Sequence, residues 1–115
     1  MKADELFYQN LMHFESSEFD EPYEMEQEFL AGLDRARELA GLPFKLTSDW
    51  RQDEKSSHHT GKAVDIQARS SYVRFRIVQA LMSVGFVRIG VYDRHVHVDM
   101  DDSRPYTVLW IGVSQ

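Results

Sequence analysis

Apolar and polar positions follow two distinct periods along this chain, and the switches between them mark out its elements. From Glu24 to Ala40 the apolar residues Met25, Phe29, Leu33, Ala36 and Ala40 recur at three- and four-residue spacing, and Gly41 stands where a helix C-cap belongs, so a helix is expected over 24–40. A second stripe, Val73, Ile77, Ala80, Leu81 and Val84, predicts a helix from about Tyr72 to Val84, capped by Ser70 or Ser71 and ended by Gly85. Elsewhere the pattern turns β-branched and aromatic. FKLTSDW (44–50), AVDIQA (63–68), FVRIGVY (86–92), HVHVDM (95–100) and TVLWIGV (107–113) read as strands, and RQDEKSSHHTG (51–61) reads as a polar loop. Residues 1–23, with ESSEFDEP and its Pro22, predict a short helix or turn followed by an irregular lead segment that wraps the domain, its acidic run a solvated face. The order helix, two strands, helix, three strands is an α+β pattern, with a mainly antiparallel sheet and helices on one face.

Composition narrows the class. The 115 residues suit one domain over 1–115, and 43% hydrophobic with 12% aromatic content suits a packed core. A net charge of −6 argues against a nucleic-acid partner, since phosphate binding needs clustered Lys and Arg. The absence of cysteine removes disulfides, thiolate zinc sites and thiol nucleophiles together. The N-terminal MKADELFYQNLMHFESSEF has no apolar core of a signal peptide, and no apolar run approaches the ~20 residues that span a bilayer. The expectation is a monomer made in the cytoplasm, with no membrane partner.

The chemistry gathers in SSHHTGKAVD (56–65) and HVHVD (95–99), which hold four of the five histidines. Side chains alternate faces along a strand, so His95, His97 and Asp99 share one face while Val96 and Val98 share the other. The same parity groups Ala63, Asp65 and Gln67 and sends Val64 and Ile66 to the core. Both strands therefore present metal-capable side chains on their open faces. Zinc takes imidazole nitrogen and carboxylate oxygen, and His58, Asp65 and one of His95 or His97 would supply three ligands without sulfur; iron also suits two histidines and a carboxylate. The small residues Gly61 and Ala63 suggest that the backbone between His58 and Asp65 comes close to something.

The pattern S-x-H-x-x-G-x-A-x-D, present as Ser56, His58, Gly61, Ala63 and Asp65, followed by H-x-H as His95 and His97, resembles the zinc peptidases of the lysostaphin, D-Ala-D-Ala carboxypeptidase and sonic hedgehog type. The D-Ala-D-Ala carboxypeptidase branch, with its small phage-type forms, is the most similar part of that group. SEFDEP, LDRARELAGLPFKLTSDWR, the helix before VGFVRIGVY and the late Arg104-Pro105 followed by Trp110 extend the likeness over roughly residues 14–112. The resemblance implies a hedgehog/DD-peptidase fold and hydrolysis of a peptide bond in the peptidoglycan stem, by an endolysin-like endopeptidase or a D,D-carboxypeptidase acting at the cell wall or periplasm after release. It implies zinc on His58, Asp65 and His97, with His95 stabilising the transition state or moving protons. It also implies Arg51 as the partner of a substrate carboxylate, a group that guanidinium grips bidentately, and Ser56 as a second substrate contact.

Two departures from the resemblance stand out. Many relatives carry a glutamate base three residues before the last histidine ligand, where this chain has Arg94, which leaves Asp93 and His95 as candidates. A general base works best with a pKa near the working pH, which imidazole has as a residue type, and this favours His95. The loop RQDEKSSH is shorter than in relatives, which suggests an open cleft. His13 and His59 read as surface residues, Trp50 and Trp110 as core or cleft wall, and Asp99 as an orienter of a ligand histidine or a strand end. Two other functions fit the same pattern: a zinc-bound binding module without activity, and a cytosolic dipeptidase acting on free D-Ala-D-Ala.

Overall fold

A computed structural model describes residues 1–113, in the order α1 (Glu5–Gln9), α2 (Gln27–Ala40), β1 (Leu46–Ser48), β2 (Ala63–Gln67), α3 (Ser71–Val84), β3 (Arg88–Val91), β4 (His95–Asp99) and β5 (Val108–Ile111). Single 3-10 turns lie at Ser16–Glu18, Pro22–Glu24 and Ser57–Thr60. The expected α3 is capped as predicted: the Ser70 hydroxyl accepts the Val73 N–H, and Gly85 closes the helix in the left-handed region. Helix α2 begins at Gln27, three residues later than the expected start at Glu24. Residues 25 and 26 are instead drawn into extended pairing, with Ala3 N–H donating to the Met25 carbonyl and Lys2 bridging Glu26.

The five strands of the described residues form one mixed sheet in the order β1-β2-β4-β3-β5. Pairings β1–β2, β2–β4 and β4–β3 are antiparallel, and β3–β5 is parallel. The parallel edge follows from where the chain leaves β4: it emerges beside the start of β3, steps over it, and can only run alongside in the direction of β3. The Arg88 guanidinium, at the first residue of β3, donates to the Pro105 carbonyl and ties that crossover down. Strand β1 is shorter than FKLTSDW promised and carries a register shift between Leu46 and Ser48. Beyond it, the Asp49 side chain turns to the lead segment, which takes residues 49 and 50 out of the ladder.

Strand parity divides the sheet as expected. Val64, Ile66, Val96 and Val98 are fully buried and join Phe29, Leu30 and Leu33 of α2 and Ile77 and Leu81 of α3 in one core cluster. The lead segment belongs to this core as well. Tyr8, Phe14 and Phe19 are buried within it, so the solvated-face reading holds only for the charges between them. Two buried carboxylates fix its path: Asp34 accepts the N–H groups of Met12 and His13, and Asp49 those of Asp20 and Glu21. Backbone donors left without water thereby find charged acceptors.

Candidate metal centre

The register between β2 and β4 sets Asp65 directly opposite His97 and Gln67 opposite His95, on the face turned away from the helices. His58 reaches the same place from the 3-10 turn at Ser57–Thr60. The turn holds because the Ser56 hydroxyl accepts the His58 N–H at its start and Gly61 takes a left-handed φ of 75° at its end. A side chain at Gly61 would stand 2.4 Å from the Glu24 carbonyl, so the close approach read from Gly61 is to the segment before α2.

His58, Asp65 and His97 each offer one ligand atom, all within 4.8 Å of one another. His58 Nε2 lies 3.5 Å and His97 Nδ1 2.9 Å from Asp65 Oδ1, with the two imidazole rings 5.1 Å apart. Ligands at about 2.0–2.2 Å in a tetrahedral shell stand about 3.3–3.6 Å apart, close to these separations. The outward nitrogens are also provided for. His58 Nδ1–H donates to the Asp49 carbonyl at 2.8 Å, which fixes the ring with Nε2 turned toward Asp65. His97 Nε2 faces Asp99 Oδ2 at 2.6 Å, and Asp99 is in turn held by Arg88 Nε at 2.6 Å and by the Asp101 N–H. This carboxylate–imidazole arrangement fixes ring orientation and raises ligand basicity in metal sites. The buried His–Asp–His group therefore fits a divalent metal in its donor chemistry, its burial and its supporting bonds.

The charges of the group reinforce one another. Burial pushes the Asp65 carboxyl up, but hydrogen bonds and charge from His58 and His97 outweigh it and hold the carboxyl well below the usual range. Burial pushes the His97 imidazole down, and its bonds to Asp65 and Asp99 more than reverse this, raising it above the ordinary value. Among these side chains a positive charge is strongly favoured, whether proton or metal.

A cleft of about 330 Å³ opens over the centre, and Arg51, Ser56 and His95 line it together with the three ligands. Asp93 does not. It is exposed in the turn between β3 and β4, where its carbonyl accepts from Arg74. His95 stacks on Tyr92 at 4.2 Å, and Trp110 lies 5.5 Å from the His97 ring with its indole N–H donating to the Tyr92 hydroxyl. This aromatic wall needs Gly90, which the register places between His97 and Trp110, because a Cβ there would stand 2.5 Å from the indole. Trp110 is thus cleft wall, whereas Trp50 packs at the core edge and donates to the His59 carbonyl.

Arg88, Tyr92, Asp49, Lys55 and Arg104 were not expected at the site. Arg88 and Tyr92 left a signal: in RIGVY they alternate with Ile89 and Val91, so a charged and a phenolic side chain share the face that Gly90 aligns with His97. Comparison with protein-family models, with curated proteins and with solved structures finds no match to this chain. Fold and site together define an α+β protein with a buried His–Asp–His group able to hold a metal.

Proposed function

We propose that the protein is a zinc-dependent peptidase of hedgehog/DD-peptidase-like fold that hydrolyses a peptide bond in the peptidoglycan stem. One observation carries the reading: His58, Asp65 and His97, the residues picked out by the motif resemblance, converge in one buried group beneath an open cleft. A zinc ion held by these three would supply Lewis acidity, polarising the scissile carbonyl and acidifying water.

The other steps belong to the chain. Arg51 at the cleft rim pairs with a substrate carboxylate and sets the peptide's register over the centre. The Ser56 oxygen accepts the His58 N–H and keeps its own hydrogen for a substrate carbonyl. His95, on the cleft wall, takes up the proton released by the attacking water and delivers it to the leaving amine. The exposed position of Asp93, away from the cleft, supports His95 over Asp93 in that role.

Digestion of purified sacculi by the zinc-loaded protein, with masses of the soluble products, tests the reading. Fragments with new termini at a stem peptide bond are the expected result. Protein that sediments with intact sacculi and releases nothing would instead be a binding module, and cleavage confined to free D-Ala-D-Ala would mark a dipeptidase.

A further inference from the structure

Strand β5 is a bare edge. Val108 and Gly112 donate their N–H groups to the Val87 and Val91 carbonyls of the β3 side. The N–H and C=O groups of Leu109 and Ile111 alternate with them and point the other way, where no further strand lies among the described residues. Sheets ordinarily blunt such an edge with lysine, proline, a bulge or a very short strand. The opposite edge does so, since β1 spans three residues and carries a register shift. In β5 nothing from Tyr106 to Val113 is charged, and neither proline nor bulge interrupts Val108–Ile111. The register pairs Ile89 with Leu109 and Val91 with Ile111, which places Leu109 and Ile111 on the helix side of the sheet with the core residue Ile89. The helices do not cover them: Leu109 is 49% and Ile111 84% exposed. Helix α3 adds Phe75 and Met82, 63% and 58% exposed and two turns apart.

We propose that β5 pairs with β5 of a second copy, antiparallel about a two-fold axis at Trp110, so that two five-stranded sheets become one. Leu109 then faces Ile111 of the partner subunit, and each uses the N–H and C=O that the pairing with β3 leaves over. A second copy suits this edge because the edge is its own complement. The two-fold operation returns hydrogen-bonding position to hydrogen-bonding position and apolar side chain to apolar side chain. Charge favours the same occupant. The chain has a net charge of −6, yet all 19 carboxylates lie within 1–65 and 93–102, so α3, β3 and β5 carry none and two copies meet there without like charges opposed. A lipid surface would leave the edge groups unpaired, and the cations of α3 are already engaged: Arg74 with the Ala68 and Asp93 carbonyls, Arg76 with the Ala40 carbonyl. The axis stands perpendicular to the sheet, so both clefts open on the same side of the dimer.

Sedimentation equilibrium of the full chain over a range of concentrations tests the proposal, with circular dichroism reporting the fold of each variant. Twice the mass of one chain is the expected result, in place of the monomer expected from the sequence. Ile111→Lys, a change at an exposed side chain, should weaken the dimer roughly 10-fold or more, because lysine blunts an edge and two apolar cross-strand pairs are lost. Adding Leu109→Glu sets an opposite charge across from each lysine in this register and should restore association. Met12→Lys, at an exposed apolar residue of the lead segment, should leave the dimer unchanged. Amide exchange of the unmutated protein gives an independent reading: the N–H groups of Leu109 and Ile111 should be protected in the dimer and exchange freely on dilution. One chain mass at every concentration up to millimolar would overturn the proposal. So would a dimer indifferent to Ile111→Lys, or free exchange at both amides in the dimer. Binding to phosphatidylglycerol vesicles in place of self-association would overturn it as well and mark a membrane-docking face.

Discussion

His58 donates its Nδ1 hydrogen to the main-chain carbonyl of Asp49 at 2.8 Å, while the carboxylate of the same aspartate accepts the N–H groups of Asp20 and Glu21 at 2.9 Å each. One residue thus orients a candidate ligand with its backbone and anchors the lead segment with its side chain. Asp49→Ala leaves the carbonyl but strands three backbone donors, the N–H groups of Asp20, Glu21 and Trp50, each costing about 1–3 kcal/mol when buried without a partner. The variant should lose a few kcal/mol of stability in denaturant unfolding of the metal-free protein. Unchanged stability would mean that water replaces the carboxylate.

Metal binding should depend on all three ligands. The wild-type protein is expected to hold one zinc per chain and to melt at a higher temperature with zinc present, because a ligand that binds only the folded state stabilises it by mass action. His97→Ala should lose stoichiometric zinc in metal analysis. Retention of one tight zinc by that variant would sink the assignment.

Asp99 is buried behind His97 and does not line the cleft. Asp99→Asn keeps the volume but removes the charge that holds His97 Nε2, and should weaken zinc affinity about 10- to 100-fold. Competition with a chromophoric chelator measures this. An affinity within twofold of wild type would reduce the Asp99–Arg88 pair to a purely structural role.

His95→Ala tests the proton-transfer role separately from metal binding. Its ring lies outside the ligand trio, so zinc content and circular dichroism should match wild type. Hydrolysis should fall by ~100- to 10,000-fold, the usual effect of removing a positioned acid or base. Loss of zinc from the variant would show that His95 and His97 have exchanged roles, and full activity would transfer the base to Asp93.

Asp101 gives a pH prediction clear of the ligands. Burial pushes its carboxyl up, but the hydroxyl and N–H of Ser103 and the Arg104 guanidinium outweigh burial and lower it. A carboxyl depressed in the folded state stabilises the protein fully above the unfolded value, ~3.9, and loses that contribution as pH falls through the folded value. Asp101→Asn should therefore be less stable than wild type by about 1–3 kcal/mol near pH 7, with the gap closing only below about pH 4. A gap that stayed constant down to pH 2 in urea unfolding would contradict this.

Local order was legible in the chain itself, since period and capping involve neighbours only. The apolar stripe and caps of α3, and the parity that sends Val96 and Val98 inward while His97 and Asp99 face the other way, follow from residues a few positions apart. The ligand trio came from a motif resemblance, and its convergence needed register. Asp65 meets His97 only because β2 pairs with β4 in one alignment out of several, and a slip of one residue would send either side chain into the core. The late start of α2, the shortened β1 and the parallel β5 arise the same way, from pairing and crossover between distant segments. Arg88 behind Asp99, Gly90 beneath Trp110 and Arg104 bound to the Lys55 carbonyl are contacts across 11, 20 and 49 positions. No local period encodes such contacts, because they exist only after burial of the apolar face has brought the strands and loops into place.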